Sequence, residues 1–141
     1  MFVTVSVAVL LVVMVVCTHY EVFRIVYRLL SRLKIRPRFR LVFIILGALL
    51  AHVLEIWIFA FGFYFLCKNT EFGSIQGNFD NGLLSYVYYS AVCYTTLGFG
   101  DLVPVGHIRF LTAMTALSGL VMITWTAAYA FLEMQEIREE N

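Results

Sequence analysis

The sequence predicts an all-α membrane protein with three transmembrane helices and a short re-entrant helix and loop between the second and third. Three observations predict it. The 141 residues are 62% hydrophobic and only 13% charged, whereas soluble domains are about half apolar. The apolar residues are gathered into three long runs rather than spread at amphipathic spacing. A fourth apolar stretch is too short to cross a bilayer and leads directly into glycine-rich sequence.

The first run, Phe2 to Thr18, is rich in valine and just long enough to span, so residues 1–20 read as the first transmembrane helix. Its start has neither a positive n-region nor a convincing cleavage site, and no cleavable signal is expected. Residues 21–40 read as a cytoplasmic basic segment. Seven of the ten basic residues lie there: Arg24, Arg28, Arg32, Lys34, Arg36, Arg38 and Arg40. Five of these arginines recur every four residues with Phe23, Ile25, Val26, Leu29, Leu30 and Leu33 between them. That is the pattern of a basic amphipathic helix on the inner leaflet, which Pro37 should end. Anionic lipids are the partners expected at Arg24, Arg28 and Arg32.

The second run extends from Leu41 to Cys67 and the third from Ile108 to Leu132. Both exceed the roughly 20 residues a span needs, so tilt or protrusion is expected. A bilayer satisfies no backbone polar group, so these segments should be helices despite their β-branched residues. Between them, Lys68 to Gly82 is polar and rich in Gly, Asn and Asp, and reads as an extramembrane loop. Leu83 to Tyr94 is apolar and aromatic, but a dozen residues at about 1.5 Å each reach only about 18 Å. Thr95-Thr96-Leu97-Gly98-Phe99-Gly100-Asp101 follows at once, with Pro104 soon after. Irregular backbone at membrane depth is tolerated only where it is buried in protein or lines a water-filled path. Residues 41–132 therefore read as one module. Residues 133–141 read as a cytoplasmic tail carrying Glu133, Glu136, Glu139 and Glu140, either as an acidic ring or as a solvated helix end. The basic cluster sets the orientation: N-terminus outside, C-terminus cytoplasmic, in a multi-pass protein of the cell membrane.

The segment Thr95 to Asp101 resembles the selectivity filter of the potassium channel pore-domain family. The resemblance covers outer helix, loop, pore helix, filter and inner helix, from Leu41 to Leu132. It implies that backbone carbonyls of Thr96, Leu97, Gly98, Phe99 and Gly100 form the filter, with potassium ions bound at Thr96, Leu97, Gly98 and Phe99 as the conducted species and no other cofactor. Gly98 and Gly100 lack a Cβ and reach conformations closed to other residues. Leu97 and Phe99 should turn away from the ion and wedge against the pore helix. The family's usual tyrosine is replaced here by Phe99, which removes one hydrogen bond behind the filter. Each chain supplies one loop and a filter needs four, so the fold is expected to assemble as a tetrameric pore, a homotetramer with cyclic symmetry.

Filter support is expected from Thr95, Asp101, Tyr88 and Tyr89. By position Tyr88 should donate to Asp101, and Tyr88, Tyr89 and Tyr94 could form an aromatic sleeve or simply pack. Gly119, Ile123, Ala127 and Phe131 share one face of the third helix and are cavity or gate candidates, or else pack on the outer helix. Gly119 is either a hinge or a close contact. His52 and Glu55, three residues apart, form a possible intramembrane polar pair, for pH sensing or as a structural bond. Cys17, Cys67 and Cys93 have no metal-type spacing and an odd count. Buried thiols are expected, with an inter-subunit disulfide at Cys67 as the alternative.

These features point to a potassium-selective channel, with a non-selective cation channel or a non-conducting membrane scaffold as alternatives. An enzyme is not expected: there is no Ser/His/Asp or Cys/His set, no metal-ligand cluster and no phosphate loop. No nucleic-acid partner is expected. The arginine spacing of four, outside any four-helix sensor, does not fit a voltage sensor.

Overall fold

The computed structural model describes residues 1–33 and 36–139. Among the described residues, four helices, α1 (Phe2–Leu33), α2 (Pro37–Cys67), α3 (Leu83–Tyr94) and α4 (Ile108–Glu139), carry most of the chain. Three of them, α1, α2 and α4, are long and apolar enough to cross a membrane. At about 1.5 Å per residue, 31 or 32 residues reach about 47 Å, well beyond a hydrocarbon core of about 30 Å. Within each apolar window only 22–28% of the residues are buried inside the chain. The remaining apolar surface is left uncovered by the chain itself.

The first helix does not stop near Thr18. It runs unbroken to Leu33, because the sequence between holds no proline or glycine to interrupt it. The basic stretch is therefore not a separate segment over 21–40. Arg24, Arg28 and Arg32 are exposed on the end of α1, whereas Arg40 belongs to the first turns of α2. Pro37 opens α2 rather than closing a surface helix, since its missing N–H costs nothing at a helix start. Lys34 lies outside the described residues, as do Glu140 and the Arg38 and Glu139 side chains.

The core is built around α2, which touches each of the other three helices. Phe59, Ala60, Phe63 and Leu66 of α2 meet Ala8, Leu11 and Val15 of α1, Tyr86 and Tyr89 of α3, and Ile108, Leu111 and Met122 of α4. Small residues at Ala8, Ala48, Ala51 and Ala60, all at most 2% exposed, let the helix backbones approach, as membrane packing favours. At the far end α4 continues past Leu132 to Glu139. Glu133 is 5% exposed and sits 2.7 Å from the Arg40 guanidinium. It is thus an internal clasp between α2 and α4, not part of a solvated acidic tail.

The loop from Lys68 to Gly82 carries structure of its own. A single 3₁₀ turn, Thr70–Phe72, precedes strand β1 (Ser74–Gly77), which pairs antiparallel with β2 (Leu102–Val105) in the register Ser74↔Val105 to Gly77↔Leu102. This two-stranded ribbon ties the chain entering α3 to the chain leaving the irregular loop. Asp80 then sets the start of α3. Its carboxylate accepts the Gly82 N–H at 2.9 Å and the Ser85 hydroxyl. These bonds, Ser85's first, hold the Asp80 carboxyl below the usual carboxylate range.

Candidate pore site

Helix α3 ends at Tyr94, and the backbone after it is wound back onto that end. The Thr95 N–H and hydroxyl both donate to the Ala91 carbonyl, at 3.0 and 2.7 Å. The Thr96 N–H reaches the Cys93 carbonyl at 3.0 Å, and the Gly98 N–H reaches Val92 at 3.4 Å. Beyond this point the chain alternates in hand. Thr96, Gly98 and Gly100 have φ of +59°, +55° and +81°, while Leu97 and Phe99 between them do not enter the left-handed region. Alternation of this kind lets successive peptide carbonyls face one side. At the glycines it is inexpensive. At Thr96, a β-branched residue, it costs about 1–3 kcal/mol, strain of a kind that clusters at functional sites.

Every residue from Thr95 to Asp101 is exposed in the single chain. Leu97 and Phe99 do not wedge against α3: they are 61% and 65% exposed, left largely uncovered by the described residues of the same chain. A Cβ at Gly98 or Gly100 would meet no other atom within 4 Å. The Tyr88 hydroxyl donates to the Asp101 carboxylate at 2.8 Å, tying α3 to the outer end of the loop.

The three tyrosines do not form a sleeve. At about 100° per residue, positions 88, 89 and 94 leave the α3 axis in three directions. Tyr88 faces outward to Asp101. Tyr89, 2% exposed, shares a 2.8 Å hydrogen bond with the Thr112 hydroxyl of α4 and packs edge-on against Phe63 of α2. Tyr94, 1% exposed, turns to the back of α3, where its hydroxyl donates to Glu55.

Gly119 lies inside an unbroken α4, against the end of α3. A Cβ there would overlap the Tyr94 carbonyl, so close helix contact accounts for this glycine. Ile123 and Ala127 line an apolar groove of about 580 Å³ together with Ala48 and His52 of α2 and with Tyr94 and Thr95. Phe131 is 54% exposed and does not line that groove. His52 and Glu55 do meet, with Nδ1 3.3 Å from Oε2. Sequence reasoning misses their third partner, His19 of α1, whose Nδ1 lies 2.8 Å from Glu55 Oε1. A lone histidine in an apolar span is the available signal, since ionisable groups at depth face protein or water.

Residues 39–136, well over half of the chain, match the sequence model of a family described as ion channel. The chain belongs to the ion channel family. It is a membrane transport protein, and ion conduction is the function that the family supports. The matched stretch contains nearly all of α2, α3, the alternating loop and most of α4, and leaves α1 outside it. No curated protein and no solved structure matches the channel.

Proposed function

We propose that the channel is a potassium-selective homotetramer, with the carbonyls of Thr96, Leu97, Gly98 and Phe99 replacing the ion's hydration shell. One observation carries this reading: the left-handed backbone at Thr96, Gly98 and Gly100, kept in a segment whose apolar side chains, Leu97 and Phe99, stay exposed in the single chain. Carbonyls aligned by that alternation supply one wall of a coordination column. Closing the column takes other copies, and cyclic repetition about an axis beside the loop also covers Leu97 and Phe99. The C-terminal end of α3 adds partial negative charge toward the axis, and Asp101 concentrates cations at the mouth.

The two ends of the molecule support an orientation. Met1, Thr4 and Val5 lie beside Gly106, His107 and Phe110, so the N-terminus shares an end with the filter mouth. The Arg40–Glu133 pair marks the opposite end, toward which α1 carries Arg24, Arg28 and Arg32. With basic residues inside, the filter mouth and N-terminus face outward and the C-terminus is cytoplasmic. Arg24, Arg28 and Arg32 then reach the anionic headgroups of the inner leaflet.

The test is ion flux from liposomes holding the purified protein, under potassium and sodium gradients, with Gly98→Ala beside the wild type. Potassium flux without sodium flux, falling to the level of protein-free vesicles in Gly98→Ala, is expected. Equal flux of both ions would replace this reading by a non-selective cation channel.

A further inference from the structure

Behind the pore helix, polar side chains from all four helices converge. α1 brings His19, α2 brings His52 and Glu55, α3 brings Tyr94 and α4 brings Thr126. His19, Glu55 and Tyr94 are at most 1% exposed. His19 Nδ1 lies 2.8 Å from Glu55 Oε1. His52 Nδ1 lies 3.3 Å from Oε2 and 3.0 Å from the Tyr94 hydroxyl. The far sides of both rings meet one atom: Thr126 Oγ1 is 3.4 Å from His19 Nε2 and 3.1 Å from His52 Nε2.

Two neutral rings cannot use Thr126 in the same way. Thr126 has a single hydroxyl proton and can donate to only one Nε2, so the other ring must donate its Nε2–H to Oγ1. A neutral imidazole in that tautomer presents a bare Nδ1 lone pair toward the Glu55 side of the cluster. With both histidines neutral and Glu55 ionised, the cluster also holds one uncompensated negative charge, in a place where the bilayer solvates none. A positive charge between the two Nδ1 atoms and the carboxylate, carried by a metal ion or by a proton on one ring, meets both conditions.

We propose that His19, His52 and Glu55, with the Tyr94 oxygen as fourth ligand, form a binding site for a divalent transition metal of the zinc type. One ligand atom from each of the three residues lies within 4.8 Å of the other two. Tetrahedral bonds of about 2.0–2.1 Å require separations of about 3.3 Å, which lies between the 2.8 Å of His19 Nδ1 to Glu55 Oε1 and the 4.8 Å that bounds the group. Two imidazole nitrogens and two oxygens suit zinc, whereas calcium and magnesium take six or more oxygens. Both Nε2–H groups resting on Thr126 give the outer-shell support that metal-bound histidines characteristically have. Tyr94 bound as phenolate, its proton released to bulk water as the metal binds, would make metal and ligands electrically neutral together. His52 and Tyr94 also line the groove of about 580 Å³ beside Thr95, which offers a way in. The site also gives a role to α1, which lies outside the family match, by tying His19 to the residue that leads into the filter.

This inference rests on the cluster alone and not on conduction or selectivity, so its test reads binding. The full-length protein in detergent is stripped with chelator and titrated with Co²⁺. The expected result is one Co²⁺ per chain with visible d–d absorption of tetrahedral intensity, displaced by Zn²⁺. His19→Gln, outside the channel module, should weaken Co²⁺ binding about tenfold or more, and Thr126→Ala, an outer-shell change, about tenfold. A variant with Cys17, Cys67 and Cys93 all changed to Ser should bind as the wild type does. Absence of stoichiometric Co²⁺, unchanged affinity in a folded His19→Gln, or loss of binding in the cysteine-free variant would each overturn the site, and the first of these would leave a cluster held by protons alone.

Discussion

Two neighbouring stretches, ending and beginning at consecutive residues, are held in opposite ways. Up to Tyr94, α3 is enclosed by its own chain: Tyr89 and Tyr94 are at most 2% exposed and each has a side-chain bond to another helix. From Thr95 onward the loop is exposed and ordered mainly through its backbone. The back of the pore helix is completed by one chain. The face of the loop is left open by the single chain. Changes behind α3 should therefore alter the stability of the folded chain, whereas changes in the loop should alter conduction.

The largest expected effect tests the closed side. Glu55 is fully buried and is the acceptor for His19 and Tyr94 and a partner of His52. Glu55→Ala leaves those groups without it, and removing one partner of a buried polar pair costs about 3 kcal/mol. Thermal unfolding of the purified protein in detergent should show a drop of several degrees in Tm. Gly98→Ala, which meets nothing inside the chain, should cost only about 1 kcal/mol for its left-handed backbone while still abolishing flux. Equal Tm changes in the two variants would break the comparison.

An intermediate effect is expected where the two regions touch. Gly119 packs against the Tyr94 carbonyl, an atom that cannot swing aside as a side-chain tip can. Gly119→Ala must push the end of α3 away from α4, at about 1–3 kcal/mol. Because Thr95 and Thr96 are wound on that same helix end, both Tm and potassium flux should fall. Loss of flux with unchanged Tm would instead mark Gly119 as a hinge in α4.

The membrane helices and the loop are legible in the sequence for a simple reason. Long apolar runs and the pair Gly98 and Gly100 are local signals, and α3 runs from Leu83 to Tyr94 as its composition suggests. Legibility is lost where two distant segments must meet. The arginines suggest a surface segment and so hide the true end of the first helix, although nothing between Thr18 and Leu33 breaks a helix. Glu133 reads as part of an acidic tail because its partner Arg40 lies far away in sequence. The β1–β2 ribbon rests on four-residue strands whose pairing no periodicity announces. His19 completes its cluster across 36 residues of chain, which a spacing rule for one helix cannot detect.

The smallest effect compares adjacent tyrosines on the two sides of α3. Tyr89 reaches Thr112 within the core, but the Thr112 hydroxyl has a second partner in the Ile108 carbonyl at 3.2 Å. Tyr89→Phe therefore orphans no buried group and should cost about 1 kcal/mol, the usual net value of one hydrogen bond. Flux should hardly change, since the bond lies inside the closed side. Tyr88 reaches Asp101 where both residues are exposed, so water replaces much of what Tyr88→Phe removes and the Tm change should be smaller still. The same bond, however, is the side-chain tie between α3 and the outer end of the loop. Its removal should reduce potassium flux several-fold, through a filter less firmly held at its mouth. Measuring Tm and flux on both variants separates the two sides of one helix with one hydroxyl each. If Tyr89→Phe lowered flux more than Tyr88→Phe, support for the loop would have to run through the core, and the division at Tyr94 would be wrong.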